Sequence, residues 1–221
     1  MKNYKIILLL LLTMMGQHLT AQTEVKKPKE VFELFFGSFL ANDEATRVKL
    51  NDYLRPTVEG KDAFQVDFKE NSENMVKSSA EAFLSIFPKA AASACKKEAE
   101  DYFEVVFANF KNGKLNIKNV KVVPNEYVED QKIAEVTYTV SFQVPANPAP
   151  EPTVDPKKIK ADELKKYLVQ LIQDFKNADK TVTIDQEFSL YELKEGDKIY
   201  YWNGSPDEIV TNLTDFYFDS F

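Results

Sequence analysis

The sequence predicts an α+β fold, with N-terminal helices packed on a curved antiparallel sheet of about four strands and one helix inserted between strands two and three. Three observations predict it. Apolar residues recur at helical spacing from about residue 28 to 112. Over 131–144 the period changes to two, where Val136, Tyr138, Val140, Phe142 and Val144 alternate with Glu135, Thr137, Thr139, Ser141 and Gln143. Helical spacing then returns once, at Leu164, Tyr167, Leu168, Leu171, Ile172 and Phe175, before alternation resumes.

Residues 1–21 read as a leader cleaved after Ala21 and are set aside from the fold. Lys2 and Lys5 form a basic start, Ile6 to Met15 an apolar run, and Gly16 to Ala21 a short polar exit. The run is about ten residues, well short of the roughly twenty that span a bilayer. No cysteine follows it to carry a lipid, and no second long apolar run exists. The expectation is export to a bacterial periplasm or beyond the cell, with no membrane span after cleavage. Taking 21 residues from 221 leaves 200, enough for one good core. Residues 22–221 are therefore read as one α+β domain.

Each element has its own signal. Pro28 suits a first helical turn, and Val31, Leu34, Phe35, Ser38 and Phe39 carry that helix to about Ala41. Asn42 and Asp43 can cap a second helix through Val48, Leu50 and Leu54, ended by Pro56. Residues 57–73 read as irregular, with a short strand around Phe64 to Phe68 as the one regular option. A third helix carries Val76, Ala80, Phe83 and Phe87. Pro88 restarts the chain into a longer helix with Cys95, Ala99, Tyr102, Val106 and Phe110 on one stripe, stopped at Asn112-Gly113.

The sheet follows. Leu115 to Val123 is strand-like, and its apolar parity switches between Ile117 and Val120, which predicts a bulge. The strand over 131–144 comes next. Five prolines over 145–157 make an extended loop poor in donors. Asp155-Pro156 reads as the start of the inserted helix. A third strand over 181–191 puts Val182, Ile184, Phe188 and Leu190 on one face. A turn at Lys194 to Asp197 leads to a fourth strand, Lys198 to Asn203, and Ser205-Pro206 opens a last helix with Val210, Leu213 and Tyr217. Four strands are too few to divide between two sheets, so a single domain is preferred.

Composition excludes several function classes. The one histidine, His18, lies in the leader, so the mature chain offers no Ser-His-Asp triad, no Cys-His pair and no imidazole zinc site. Of 28 basic residues, Lys2 and Lys5 leave with the leader, so 26 face 35 acids and the mature net charge is −9. Nucleic acid and anionic membrane surfaces are disfavoured partners. No glycine-rich nucleotide motif occurs, so no cofactor is indicated. Asp67, Glu70, Asn71 and Glu73 lack the calcium-loop pattern, and capping by Asn71 or Ser72 explains them equally well. Cys95 reads as a small buried hydrophobe, and a lone cysteine permits no internal disulfide.

Strand parity then ranks the candidate site residues. Glu135, Asp185 and Glu187 lie opposite the apolar stripes, where a solvated carboxylate is a poor base at neutral pH. On the apolar side the polar groups are Tyr138 and Gln186, candidates to orient a ligand. Tyr201 and Trp202 are candidates for an aromatic platform under a sugar or apolar ligand, although alternation leaves open which of Tyr200, Tyr201 and Trp202 face inward.

Helices followed by long alternating strands, over about residues 74–203, resemble the cystatin-like and NTF2-like superfamily. The helix inserted between strands two and three departs from its usual succession of hairpins. The resemblance implies an α+β scaffold used for isomerases, dehydratases, transport adaptors and assembly domains. The leading expectation is a non-enzymatic binding or interaction domain of a bacterial envelope, its partner a small apolar or sugar ligand or another envelope protein. One alternative is a histidine-free isomerase or hydrolase with Tyr138 in an apolar cavity. The other is a structural envelope component with no small-molecule site.

Overall fold

The computed structural model describes residues 23–65 and 67–221; the leader reading lies outside them. Among the described residues seven helices and an open sheet form an α+β fold, with five helices before the four antiparallel strands. In chain order the elements are β1 (Thr23–Glu24), α1 (Pro28–Phe39), α2 (Glu44–Leu54), α3 (Phe68–Leu84), α4 (Lys89–Ala94), α5 (Lys96–Lys111), β2 (Lys114–Pro124) and β3 (Lys132–Val144). Then come α6 (Ala161–Lys176), β4 (Lys180–Glu195), β5 (Lys198–Trp202) and α7 (Glu208–Phe218). The sheet order is β1-β5-β4-β3-β2. The four long strands are antiparallel, and the two-residue β1 adds in parallel beside β5.

Period-two alternation positions the core. Val136, Tyr138, Val140, Phe142 and Val144 all point under the helices and are buried. The register slips between Ile117 and Asn119, the bulge that the parity switch in β2 predicts. The helices α1, α5 and α7 supply the aromatic cover. Phe32 packs on Tyr138 at 4.7 Å and on Phe188 at 5.4 Å. Phe110 stacks on Phe142 at 5.3 Å, and Tyr217 meets the same ring at 5.2 Å. The Tyr217 hydroxyl donates to the Val106 carbonyl at 2.9 Å, which pins α7 to α5. Gly113 lets the chain leave α5 across this cluster, since a Cβ there would lie 2.6 Å from the Phe142 ring. The opposite face of the sheet is polar and cross-linked by rungs, with Thr139 donating to Asp185 at 2.7 Å and Gln143 to Thr181 at 2.9 Å.

A second, smaller cluster joins helices to helices. Ala80 and Leu84 of α3, Ala91 of α4, Cys95, Ala99 of α5, and Ile159, Leu164 and Leu168 around α6 are its buried members. Small side chains at these contacts let the helix backbones approach closely. A Lys165–Glu98 ion pair at 2.5 Å ties α6 to α5, and Lys165 holds the Glu98 carboxyl below its ordinary pKa.

Several boundaries differ from the sequence expectation. No strand forms at Phe64 to Phe68. Instead the Asn51 side chain pairs with the Phe64 backbone in both directions at 2.9 Å, replacing a strand partner, and α3 begins at Phe68. Its cap is Asp67, which accepts from the Glu70 N–H at 2.9 Å, rather than Asn71 or Ser72. Val48 is 45 % exposed, because α2 turns Leu50, Asn51, Tyr53 and Leu54 inward. The long helix after Pro88 is two helices, broken at Cys95. Asp155-Pro156 opens only a 3-10 turn, with α6 starting at Ala161. A turn over Ser205–Asp207 likewise precedes α7.

Candidate functional site

Tyr138 and Gln186 face each other directly across β3 and β4. Tyr138 is 1 % exposed, enclosed by Phe32 and by Phe36 at 6.4 Å, and burial pushes its phenol up to about 12. It stays a neutral phenol throughout the physiological range. Tyr201 lies on the same face of the sheet, paired across with Glu192, and its hydroxyl donates to the Glu192 carboxylate at 3.3 Å. Trp202 is on the other face, opposite Tyr191, and is 39 % exposed. The four candidates therefore divide: three share the helix-covered face, and Trp202 does not join them.

Two features of this region escape the parity argument. Tyr200 and Tyr201 alternate, yet both are buried. Tyr53 explains this by closing the edge of β5 where β1 ends: its ring packs on Tyr200 at 5.4 Å and its hydroxyl accepts from the Tyr201 N–H at 2.7 Å. Glu192 is the second. It continues the Phe188–Leu190 parity onto the apolar side and is 5 % exposed, so Tyr138 and Gln186 are not the only polar groups there. Extending β4 to Glu195 by its alternation reveals it. By contrast Glu135, Asp185 and Glu187 are exposed, as parity requires. Lys118 and then Thr139 lower the Asp185 pKa through hydrogen bonds.

Two adjoining clefts lie elsewhere, beside α3, apart from a shallow one of about 510 Å³ against β2 and the start of α1. One cleft of about 660 Å³ sits between the α1–α2 junction and the N-terminal turn of α3, lined in part by Asn42, Arg47, Asp67, Phe68, Ser72 and Lys111. A second, of about 450 Å³, runs between α3 and α5, with Met75, Val76, Phe107 and Ala108 as its apolar walls and Glu73, Lys77, Glu100 and Glu104 around them. Ser72 and Lys111 line both. None of Tyr138, Gln186, Tyr201 and Trp202 lines either cleft.

Lys111 is the chemical centre of this pair. It closes the α5 stripe that begins at Glu100, and it is half-buried. Its Nζ donates to Ser72 Oγ at 2.7 Å, and no carboxylate among the described residues lies within ion-pair distance. Burial alone lowers its pKa below the ordinary lysine value. Ser72 donates to the Phe68 carbonyl at 2.6 Å and accepts from Asn42 at 3.3 Å. Asn42 reaches it from a left-handed backbone conformation, φ 52°, which asparagine tolerates better than most residues. Arg47, in the same cleft, is occupied by a bidentate pair with Glu44 and by the Phe64 carbonyl.

This geometry makes Lys111 a donor. Its ammonium points at an oxygen whose own proton is already given to a backbone carbonyl, which is not the arrangement of a serine activated by a neutral lysine base. Sequence reasoning missed Asn42, Ser72 and Lys111. The available signal was a lysine four residues beyond Phe107, at the end of a helix stripe otherwise lined by apolar and acidic side chains.

No group of three acids or thiols lies close enough to hold a metal among the described residues, and no helix there is long and apolar enough to cross a membrane. Cys95 is buried, and its Sγ donates to the Ala161 carbonyl at 3.4 Å. Burial raises its thiol pKa further. No family model, curated protein or solved structure matches this chain.

Proposed function

We propose that this chain is an exported, non-enzymatic binding domain of a bacterial envelope, and that it takes a small ligand in the helical clefts rather than under the sheet. The observation that carries the reading is the contrast around Lys111. The apolar face of the sheet is filled by aromatic side chains, while the clefts beside α3 stay open around a half-buried cation with no acid partner among the described residues. Ligand sites are concave, with apolar walls and a few convergent polar groups, and the two clefts together have that make-up. The basic start and short apolar run of residues 1–21 support the exported setting. The layout supports a cystatin-like or NTF2-like scaffold used for holding rather than transforming a ligand.

The test is a thermal-shift and native mass-spectrometry screen against glycans, neutral apolar compounds and organic anions. At least one class is expected to bind in a saturable way. Binding is expected to be lost in Ala108→Trp, which fills the second cleft, and to survive in Tyr138→Phe. A folded protein that binds no class overturns the reading, and so does binding that Tyr138→Phe removes while Ala108→Trp leaves it intact.

A further inference from the structure

We infer that the ligand of these clefts is a monoanionic amphiphile, a carboxylate with an unbranched apolar chain, its head on Lys111 and its chain along the seam between α3 and α5. The inference rests on the binding-domain reading above and names the ligand class for that site.

The head group follows from donor accounting. An ammonium carries three N–H donors, and Ser72 Oγ takes one of those on Lys111. Two remain for an incoming oxygen pair, and a carboxylate offers one with the charge that Lys111 lacks within ion-pair distance among the described residues. A cation drawn partly out of water without a counter-charge is unfavourable, so an anion seated there restores what burial removes. The Asn42 amide and the Ser72 hydroxyl lie beside the same point.

A single negative charge follows from the surroundings. Glu73, Glu100 and Glu104 line the second cleft, and Arg47 is already committed to Glu44. Further negative charges on the ligand along the second cleft would meet these three carboxylates against the one further lysine, Lys77. This disfavours phosphates and polyanions and fits a monocarboxylate.

The apolar chain follows from the walls. Met75 and Ala108 are exposed and Val76 is half-buried, so a seam of unsatisfied apolar surface leads away from Lys111. Along α5 the path from Lys111 back to Glu100 is roughly 16 Å at the helical rise, long enough for an extended chain of medium length. A sugar ring would seek an open aromatic face, whereas the one aromatic wall of the second cleft, Phe107, is buried.

The experiment is isothermal titration of the full chain with decanoate, decanol and butyrate below micelle-forming concentration. Decanoate is expected to bind at one site, with decanol weaker by roughly tenfold or more, the scale of a hydrogen bond to a charged group, and butyrate weaker by roughly a hundredfold or more, since it lacks six methylenes of apolar chain. Lys111→Met is expected to weaken decanoate roughly tenfold or more while leaving decanol unchanged. Lys111→Arg keeps the charge and is expected to retain binding, which separates loss of the anchor from loss of the fold. Circular dichroism confirms each variant as folded. Equal affinity for decanoate and decanol overturns the inference, as does unchanged decanoate binding in Lys111→Met. If a glycan binds in the Ala108→Trp-sensitive manner while decanoate does not, the binding-domain reading stands and this inference falls. If no probe binds, both fall.

Discussion

The core beneath the sheet and the layer of helices around α3 and α5 are built by different rules. Beneath the sheet, large rings interlock: Phe32, Phe35, Tyr138, Phe142 and Tyr217 are all essentially inaccessible. Between the helices the buried residues mix small side chains, Ala80, Ala91, Cys95 and Ala99, with the aliphatic Leu84, Ile159, Leu164 and Leu168, and the open clefts run beside α3. A close-packed aromatic face contributes stability and leaves no room for a guest. A seam walled by Met75, Val76, Phe107 and Ala108 and ringed by charged side chains contributes less stability and keeps its room. The best-patterned part of the sequence is the part that holds the fold, and the open clefts beside α3 lie where the pattern is weaker.

The largest expected effect is on the sheet side. Phe142→Ala is expected to cost about 3–5 kcal/mol of unfolding free energy in a denaturant titration, from lost burial and a cavity between Phe110 and Tyr217. A cost near that of a surface change would erase the distinction between the regions. Next is Gly113→Ala, whose methyl meets the Phe142 ring and is expected to cost about 1–3 kcal/mol by overpacking. Tyr217→Phe removes the hydroxyl bond to the Val106 carbonyl and is expected to cost about 1 kcal/mol by the same titration.

The cleft side is expected to respond in the opposite manner. Met75→Ala, at a half-open wall, is expected to change stability by no more than about 0.5 kcal/mol while weakening decanoate in calorimetry. Lys111→Met is expected to stabilise the unliganded protein slightly, by less than about 1 kcal/mol, because Lys111 is only partly buried and water screens much of its charge. The sign follows from its lowered pKa. Between the folded and unfolded values the unfolded chain binds more protons, so stability rises with pH through that window. The burial cost is therefore full at neutral pH and fades in alkali, and the gain in Lys111→Met fades with it. Unfolding midpoints of the two proteins across neutral to alkaline pH check this. The charged groups around the same clefts, Glu44, Arg47, Asp67, Lys69, Glu73, Lys77, Glu100 and Glu104, are present in both proteins and drop out of the difference.

Much of the sheet was legible because its signal is local and geometric. Alternation alone placed Tyr138 and Gln186 on the inner face and Glu135, Asp185 and Glu187 outside, and a parity switch located the β2 bulge. The misses involve partners distant in sequence. The Phe64 backbone pairs with Asn51 from α2, which no strand pattern over 64–68 can anticipate. Tyr200 is buried where Tyr53, far upstream, packs on its ring. The clefts were least legible. Asn42, Ser72 and Lys111 come from three separate segments, each residue ordinary in its own window, and only the packing of α3 against α5 and the α1–α2 junction brings them together.

In the function proposed above, the ligand lies beside α3 and not under the sheet. Amide correlation spectra of the labelled protein, recorded during a decanoate titration, test it most directly. The account predicts saturable shifts concentrated on residues 72–76 and 104–111, with the amides of 136–140 and 184–190 unmoved. Shifts concentrated on those two strand segments, with the helical residues still, would contradict it.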